Sequence, residues 1–167
     1  EVEEGRYLPD FIATENAGAV LRSSLFTEGY LNVQDESQGL PLYLLEPPPG
    51  ETVLDLCSAP GGKTIALADR VGPDGKVISI DIDPGRIGKI KENIARVGFS
   101  NIEIVKTDLF EFTTTQKFRY ILLDVPCSGL GTLSGNADLK WAKSEKDIKR
   151  LSELQLKMLT KASSHLS

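Results

Sequence analysis

Cysteine, histidine, methionine and tryptophan are nearly missing from this 167-residue chain, which carries two, one, one and one of them. The cysteines, Cys57 and Cys127, lie far apart, each inside a Gly/Pro motif, so neither a disulfide framework nor a zinc site with paired ligand spacing is supported. A reducing cytoplasm fits best, with no structural metal. No apolar run approaches the roughly 20 residues that a spanning helix needs, which argues against a membrane protein. Basic residues are in deficit: 19 Lys and Arg face 24 Asp and Glu, a net charge of -5, so the chain lacks the positive footprint that holds a phosphate backbone by charge alone. Any nucleic-acid partner must be met by a local patch or by an additional segment. The opening EVEEGRYLPDF has no basic region followed by an apolar core, so no secretory signal is expected, and both ends read as cuts through a longer protein. At 40% hydrophobic and 26% charged residues the composition is that of a soluble globular chain, long enough to bury about two thirds of its unfolded surface in one core.

Residues 1-46 read as an amino-terminal lobe and 47-167 as the main unit. Within the lobe, Ala19 to Val33 suggests two short extended runs around a Thr27-Glu28-Gly29 turn, and Asp35 to Leu45 groups its apolar residues as a helix does. Glu46-Pro47-Pro48-Pro49-Gly50 then punctuates the chain, because prolines remove amide donors and fix φ. Short runs rich in Val, Ile and Leu follow at Thr52 to Leu56, Val77 to Ile82, Ile102 to Val105 and Arg119 to Asp124, the pattern of buried parallel strands. Ile87, Ile90, Ile94 and Val97 mark one face of a helix between them, with Gly98 as its stop. This alternation predicts an α/β fold, doubly wound, with a mostly parallel sheet and right-handed crossovers. Residues 147-166 form the last expected helix, with an apolar stripe of Ile148, Leu151, Leu154, Met158, Leu159 and Ala162, and no strand is read after it.

The string Asp55-Leu56-Cys57-Ser58-Ala59-Pro60-Gly61-Gly62-Lys63-Thr64 falls at the carboxyl end of the first core strand, where open α/β sheets bind ligands. Adjacent glycines let a ligand approach the backbone, and free amides at the following helix start suit a carboxylate or phosphate oxygen. A tight turn that needs glycine only for packing is the plainer alternative. A dinucleotide fingerprint fails, since G-x-G-x-x-G is absent. A P-loop fails at Cys57, which must be glycine to wrap a phosphate, and at Pro60, which removes a needed amide. Asp81 ends the second strand and is placed to accept two hydrogen bonds from a ribose diol, unless it only begins a turn; Asp83, followed by Pro84, is the better helix cap. Asp108, just past the third strand, can read an adenine amino group or be merely solvated. Arg86 either braces the glycine loop or lies on a helix surface, and His165 is expected to be solvated. Together these residues specify an adenosyl ligand.

The fourth strand ends in Asp124-Val125-Pro126-Cys127-Ser128-Gly129-Leu130-Gly131. A cysteine after proline at a strand end is exposed toward the crevice, where it can serve as nucleophile or base; its alternative is a small buried hydrophobe. With Asp138-Leu139-Lys140-Trp141 and Leu154-Gln155, these strings resemble the Sun/Fmu-type RNA cytosine-C5 methyltransferases over most of the chain, from about Val33 to Leu166. The resemblance implies a Rossmann-like methyltransferase fold that holds S-adenosyl-L-methionine through Cys57, Ser58, Ala59, Pro60, Gly61, Gly62 and Lys63 and through Asp81, Asp108 and Asp124. It also implies an RNA partner, rRNA or tRNA, and catalytic roles for Asp124, which can orient the cytosine edge, and Cys127, which helps release the product. In that family the nucleophile belongs to a Thr-Cys motif after the helix corresponding to residues 147-166. Neither cysteine here follows a threonine, so the chain alone is expected to hold cofactor without transferring a methyl group. Asn136-Ala137 departs from the family's His-Pro and puts one substrate contact in doubt. Trp141 and Lys140 can stack and pair with RNA, though a lone Trp is as often core. A non-catalytic cofactor-binding or RNA-docking module, and below it a DNA cytosine methyltransferase, are the competing readings.

Overall fold

The structure, a computed structural model, describes residues 2-133 and 135-167. In chain order the elements are β1 (Val2–Glu4), β2 (Ile12–Thr14), α1 (Ala17–Leu21), α2 (Ser24–Thr27), a 3-10 turn (Glu36–Gln38), α3 (Leu40–Leu45), β3 (Thr52–Leu56), α4 (Gly62–Val71), β4 (Lys76–Asp81), α5 (Pro84–Val97), β5 (Ile102–Lys106), β6 (Tyr120–Leu123), a second 3-10 turn (Leu130–Thr132), α6 (Leu139–Ala142) and α7 (Glu145–Ser163). The main sheet runs β5-β4-β3-β6, and every pairing in it is parallel. From β3 the chain steps outward through β4 to β5 and then returns to the other side of β3 as β6. The direction of winding therefore reverses between β3 and β6, and the carboxyl ends of these strands border the ligand crevice of such sheets.

Alternation along β3 divides the core. Leu54 and Leu56 pack with Ile78, Ile80, Phe112, Phe118, Met158 and Ala162 beneath α7, whereas Val53 and Val77 pack with Leu67, Ala68 and Val71 of α4. Asp55 is in register with Ser79 on one side and Leu122 on the other, so it shares the α4 face with Val53. The helix over 84-97 begins as the sequence requires: the Asp83 side chain accepts the Arg86 amide, Pro84 opens the helix, and Gly98 closes it at φ +77°.

The lobe differs from its sequence reading. Ala19 to Val33 is not a pair of extended runs, because the Asn16 side chain caps α1 through the Ala19 amide and Ser23 caps α2 through the Phe26 amide. The antiparallel pair lies earlier, with Val2 opposite Thr14 and Glu4 opposite Ile12. The helix expected over Asp35 to Leu45 is interrupted at Gly39, between the first 3-10 turn and α3. The last strand is shorter than read, Tyr120–Leu123, and Ile82 lies beyond β4 and is exposed.

α7 starts two residues earlier than expected, in a capping box where Ser144 and Asp147 exchange side-chain and backbone bonds. Its buried residues are Leu151, Met158 and Ala162, while Ile148 and Leu159 of the expected stripe are exposed. His165 is a correction: it is 5% exposed, packed with its ring centroid 5.2 Å from that of Phe112, and burial lowers its pKa. Residues 165-167 run beside the sheet, since Phe118 donates to the His165 carbonyl, Ser167 donates to the Phe118 carbonyl, and Leu166 bridges Phe118 in parallel. Among the described residues no helix is long and apolar enough to cross a membrane.

Candidate functional site

The turn that follows β3 is shaped by its backbone. Cys57 has φ +62°, a left-handed conformation that a side chain rarely adopts, and Gly61 follows at φ +102° as the N-cap of α4. A Cβ at Gly61 would sit 3.3 Å from Ile90, so glycine there serves both the conformation and the close approach of α5. The loop is pinned to β4. Ser58 donates to the Ile80 carbonyl at 3.1 Å and accepts from Ser79 at 2.7 Å, and the Ala59 amide donates to Asp81 Oδ2 at 3.1 Å. Arg86 donates to the Ala59 carbonyl at 2.8 Å and stands 3.6 Å from Asp81, so it braces the loop rather than lying idle on a helix surface. Asn93 donates to the Pro60 carbonyl.

This bracing leaves donors pointing outward. No side chain caps α4, and the amides of Gly62, Lys63 and Thr64 find no acceptor among the described residues. Such a helix start offers hydrogen bonds and a partial positive charge to an anionic oxygen. Lys63 reaches across the mouth of the crevice to Asp124, Nζ to Oδ2 2.8 Å, and so joins the loop after β3 to the loop after β6. Asp81 is 4% exposed; besides the Ala59 amide it accepts the Asp83 amide at 3.0 Å, and each oxygen retains a lone pair for a further donor. Asp108 is half-buried, with Oδ1 accepting the Phe110 amide at 2.8 Å.

The two cysteines differ. Cys57 is half-buried, and burial first, then the Asp81 charge, pushes its thiol up to about 11, so it stays protonated. Cys127 is exposed, in the loop carried by β6, which excludes the reading of a buried hydrophobe. That loop is held by α7, where Gln155 donates to the Pro126 carbonyl at 2.9 Å. Trp141 is 83% exposed and is no part of the core; the Lys140 side chain lies outside the described residues.

Cys57 to Lys63, Asp81, Asp108, Asp124 and Cys127 are thus placed on loops, on strand ends or in the first turn of α4 at the carboxyl edge of the sheet. In the sequence Asp55 opens the ligand-loop string and counts among the acids suited to a cationic donor, with no role of its own. It is 1% exposed, accepts the Thr64 hydroxyl at 2.6 Å, and its other oxygen is buried without a partner among the described residues. Burial pushes this carboxyl up to about 7 against the pull of Thr64. An Asp inside a run of Val and Leu that ends at a glycine loop was the available signal. A separate cavity of about 750 Å³ lies between the amino-terminal segments and α4, lined by residues such as Gln34, Tyr43, Ile65 and Asp69. It includes neither the glycine loop nor Asp124.

Comparison with known proteins adds to this geometry. A family model described as 16S rRNA methyltransferase RsmB/F matches residues 42-167. Ribosomal RNA small subunit methyltransferase B of Klebsiella pneumoniae (strain 342) is 37% identical over 162 residues, covering 95% of this chain and 37% of that protein. The protein of the same name from Escherichia coli O1:K1 / APEC is 36% identical over 160 residues, again with 95% and 37% covered. Among solved structures, NSun6 from Pyrococcus horikoshii with SFG matches at a TM-score of 0.79 and 29% identity, over 88% of this chain and 38% of that one. A methyltransferase homolog from Pyrococcus horikoshii matches at 0.78 and 32%, over 89% and 46%. A SAM-dependent O-methyltransferase from Thermotoga maritima, at 0.53 and 20% over 66% and 40%, shares the fold alone. The chain spans 37% of the length of these curated relatives.

Proposed function

Since the chain belongs to the RsmB/F family of 16S rRNA methyltransferases, we propose that its crevice is the S-adenosylmethionine site of an RNA cytosine-C5 methyltransferase, made by residues 47-167 with 1-46 as an accessory lobe. The observation that carries this reading is the convergence of a glycine-loop helix start, Asp81 and the Asp124-to-Cys127 loop where the sheet reverses its winding. Bound S-adenosylmethionine supplies an electrophilic methyl group on a sulfonium. Toward it, the free amides of Gly62, Lys63 and Thr64 hold a carboxylate, Asp81 accepts the ribose hydroxyls and Asp108 meets the adenine edge. Cys57 to Pro60 contribute backbone, since the Ser58 hydroxyl is already engaged within the fold. Asp124 orients the cytosine, and Cys127, on the same loop, assists loss of the C5 proton. The substrate base must be unpaired or flipped, because stacking shields C5 and C6.

Asp81→Ala tests the cofactor half of this reading. Loss of two ribose hydrogen bonds to a charged acceptor is expected to cost about 2 kcal/mol, or about thirtyfold in affinity by calorimetry. Unchanged affinity would remove Asp81 from the site.

RNA binding needs more than these 167 residues, and an additional segment of the whole protein supplies it. With net charge -5, the chain alone is expected to bind unstructured RNA weakly in a filter assay at about 0.15 M salt. Submicromolar binding would contradict this. A cytoplasmic location is part of this proposal, since ribosomal RNA is its expected substrate. The lack of a Thr-Cys string makes the isolated chain a holder of cofactor rather than a complete catalyst.

A further inference from the structure

The amino-terminal lobe meets the glycine loop through two carboxamides to which the cofactor reading gives no task. A Cβ on Gly62, the first residue of α4, would lie 3.4 Å from Gln34 Oε1 and 3.6 Å from Asn32 Nδ2. Both side chains therefore stand beside the helix start whose amides find no acceptor among the described residues. Gln34 Nε2 is itself buried with no partner among them, and an amide donor in that position is costly to leave unpaired.

α5 holds this part of the lobe in place. Arg96 donates to the carbonyls of Phe26 and Leu31, at 2.8 Å each, and to Asn32 Oδ1 at 3.3 Å, with its guanidinium carbon 4.1 Å from the Phe26 ring centroid. The bond to Oδ1 leaves Nδ2 of Asn32 on the side of Gly62. Gly29 permits the close approach: at φ +87°, its Cβ would fall 2.5 Å from the Arg96 carbonyl oxygen. Past Gly62 the lobe follows α4 along Ile65, Ala66 and Asp69, which line the lobe cavity, so Gln34 and Asn32 form its end nearest the carboxyl edge of the sheet.

We propose that Gln34 is a cofactor-binding residue that recognises the amino-acid end of S-adenosylmethionine: Nε2 donates to the carboxylate held by the α4 amides, and Oε1 accepts from the neighbouring ammonium. The inference rests on the cofactor reading above, and it makes the lobe one wall of the site. A carboxamide offers a donor and an acceptor together, which is what a zwitterion requires, and a carboxylate has lone pairs for Nε2 beside the helix amides. Asn32, oriented by Arg96, adds a donor on the same side.

Titration calorimetry with three ligands separates the two ends, because methylthioadenosine keeps the adenosine and sulfur of the cofactor and lacks its amino-acid chain. Gln34→Leu is expected to weaken S-adenosylmethionine and its demethylated product about tenfold each, and to leave methylthioadenosine within about twofold. Gln34→Glu, of the same size, sets a charge beside the carboxylate and should weaken the two amino-acid ligands at least as much. In the native chain, the side-chain amide resonances of Gln34 should shift when S-adenosylmethionine binds and stay in place with methylthioadenosine. If no ligand binds the native chain, the cofactor reading itself fails. If S-adenosylmethionine binds without moving those resonances, or if Gln34→Leu spares it or weakens methylthioadenosine equally, only the role given to Gln34 is overturned. The resonances are read on the native chain, so the proposal stays open to refutation even if neither variant folds.

Discussion

Incubated with radiolabelled S-adenosylmethionine and cytosine-containing RNA, the 167-residue chain is expected to leave 5-methylcytosine unlabelled. An unactivated pyrimidine C5 is a poor nucleophile, and a thiolate added at C6 is what converts it into an enamine-like carbon able to attack a methyl group. Cys57 cannot supply that thiolate, because burial holds its proton up to about 11 in a half-buried turn. Cys127 is exposed, but the family resemblance sets it beside C5, where it removes a proton after methylation rather than opening the ring to attack. A longer polypeptide carrying the family's Thr-Cys strand should label the base under the same conditions. Label incorporated by the short chain and lost in Cys127→Ser would show that Cys127 is the nucleophile and that this division of roles is wrong.

Asp55→Asn is expected to stabilise the cofactor-free protein, by an amount that grows with pH. In the unfolded chain the carboxyl ionises near 3.8, and in the folded chain near 7. Between these values the folded state binds more protons, so the native protein loses stability as pH rises through the interval. At 1.36 kcal/mol per pKa unit the penalty is about 2 kcal/mol at pH 5 and about 4 kcal/mol at pH 8. Asparagine cannot ionise, and its side-chain oxygen can still accept the Thr64 hydroxyl. Urea unfolding of both proteins at pH 5 and pH 8 measures the gap. A gap that stays constant would show that Asp55 is not a buried, ionising group in the folded state.

The strands of the main sheet were legible because each is a short run rich in Val, Ile and Leu, as read over Thr52 to Leu56 and Val77 to Ile82. The glycine loop was legible because few sequences need Pro-Gly-Gly-Lys after a strand. The lobe was not, because Asn16 and Ser23 act through capping geometry, and a cap is visible in sequence only when the helix it serves is periodic. α1 and α2 have five and four residues, too few to show a period. His165 was misjudged for a different reason: its burial depends on Phe112, brought to it by a distant turn after β5. The enclosure of Asp55 and its bond to Thr64 were not legible, because alternation in a fully buried strand gives a polar residue no outward face, so its surroundings are set by α4 and β6 rather than by its neighbours in sequence.

The reversal of winding at β3 also sets a timetable for the nascent protein. β3, α4, β4, α5 and β5 can assemble from consecutive stretches of chain, each contact closing a modest loop, but β6 must return past all of them to pair Val53 with Tyr120. The Lys63–Asp124 pair spans 61 positions and can form only after that return. A ribosome that has released the glycine loop has therefore made one wall of the crevice and not the other, and cofactor cannot be enclosed until Asp124 has emerged. Termination between β5 and β6 should leave Leu54, Leu56, Ile78 and Ile80 without Phe118, Met158 and Ala162, and a bare β3 edge that invites pairing with other chains.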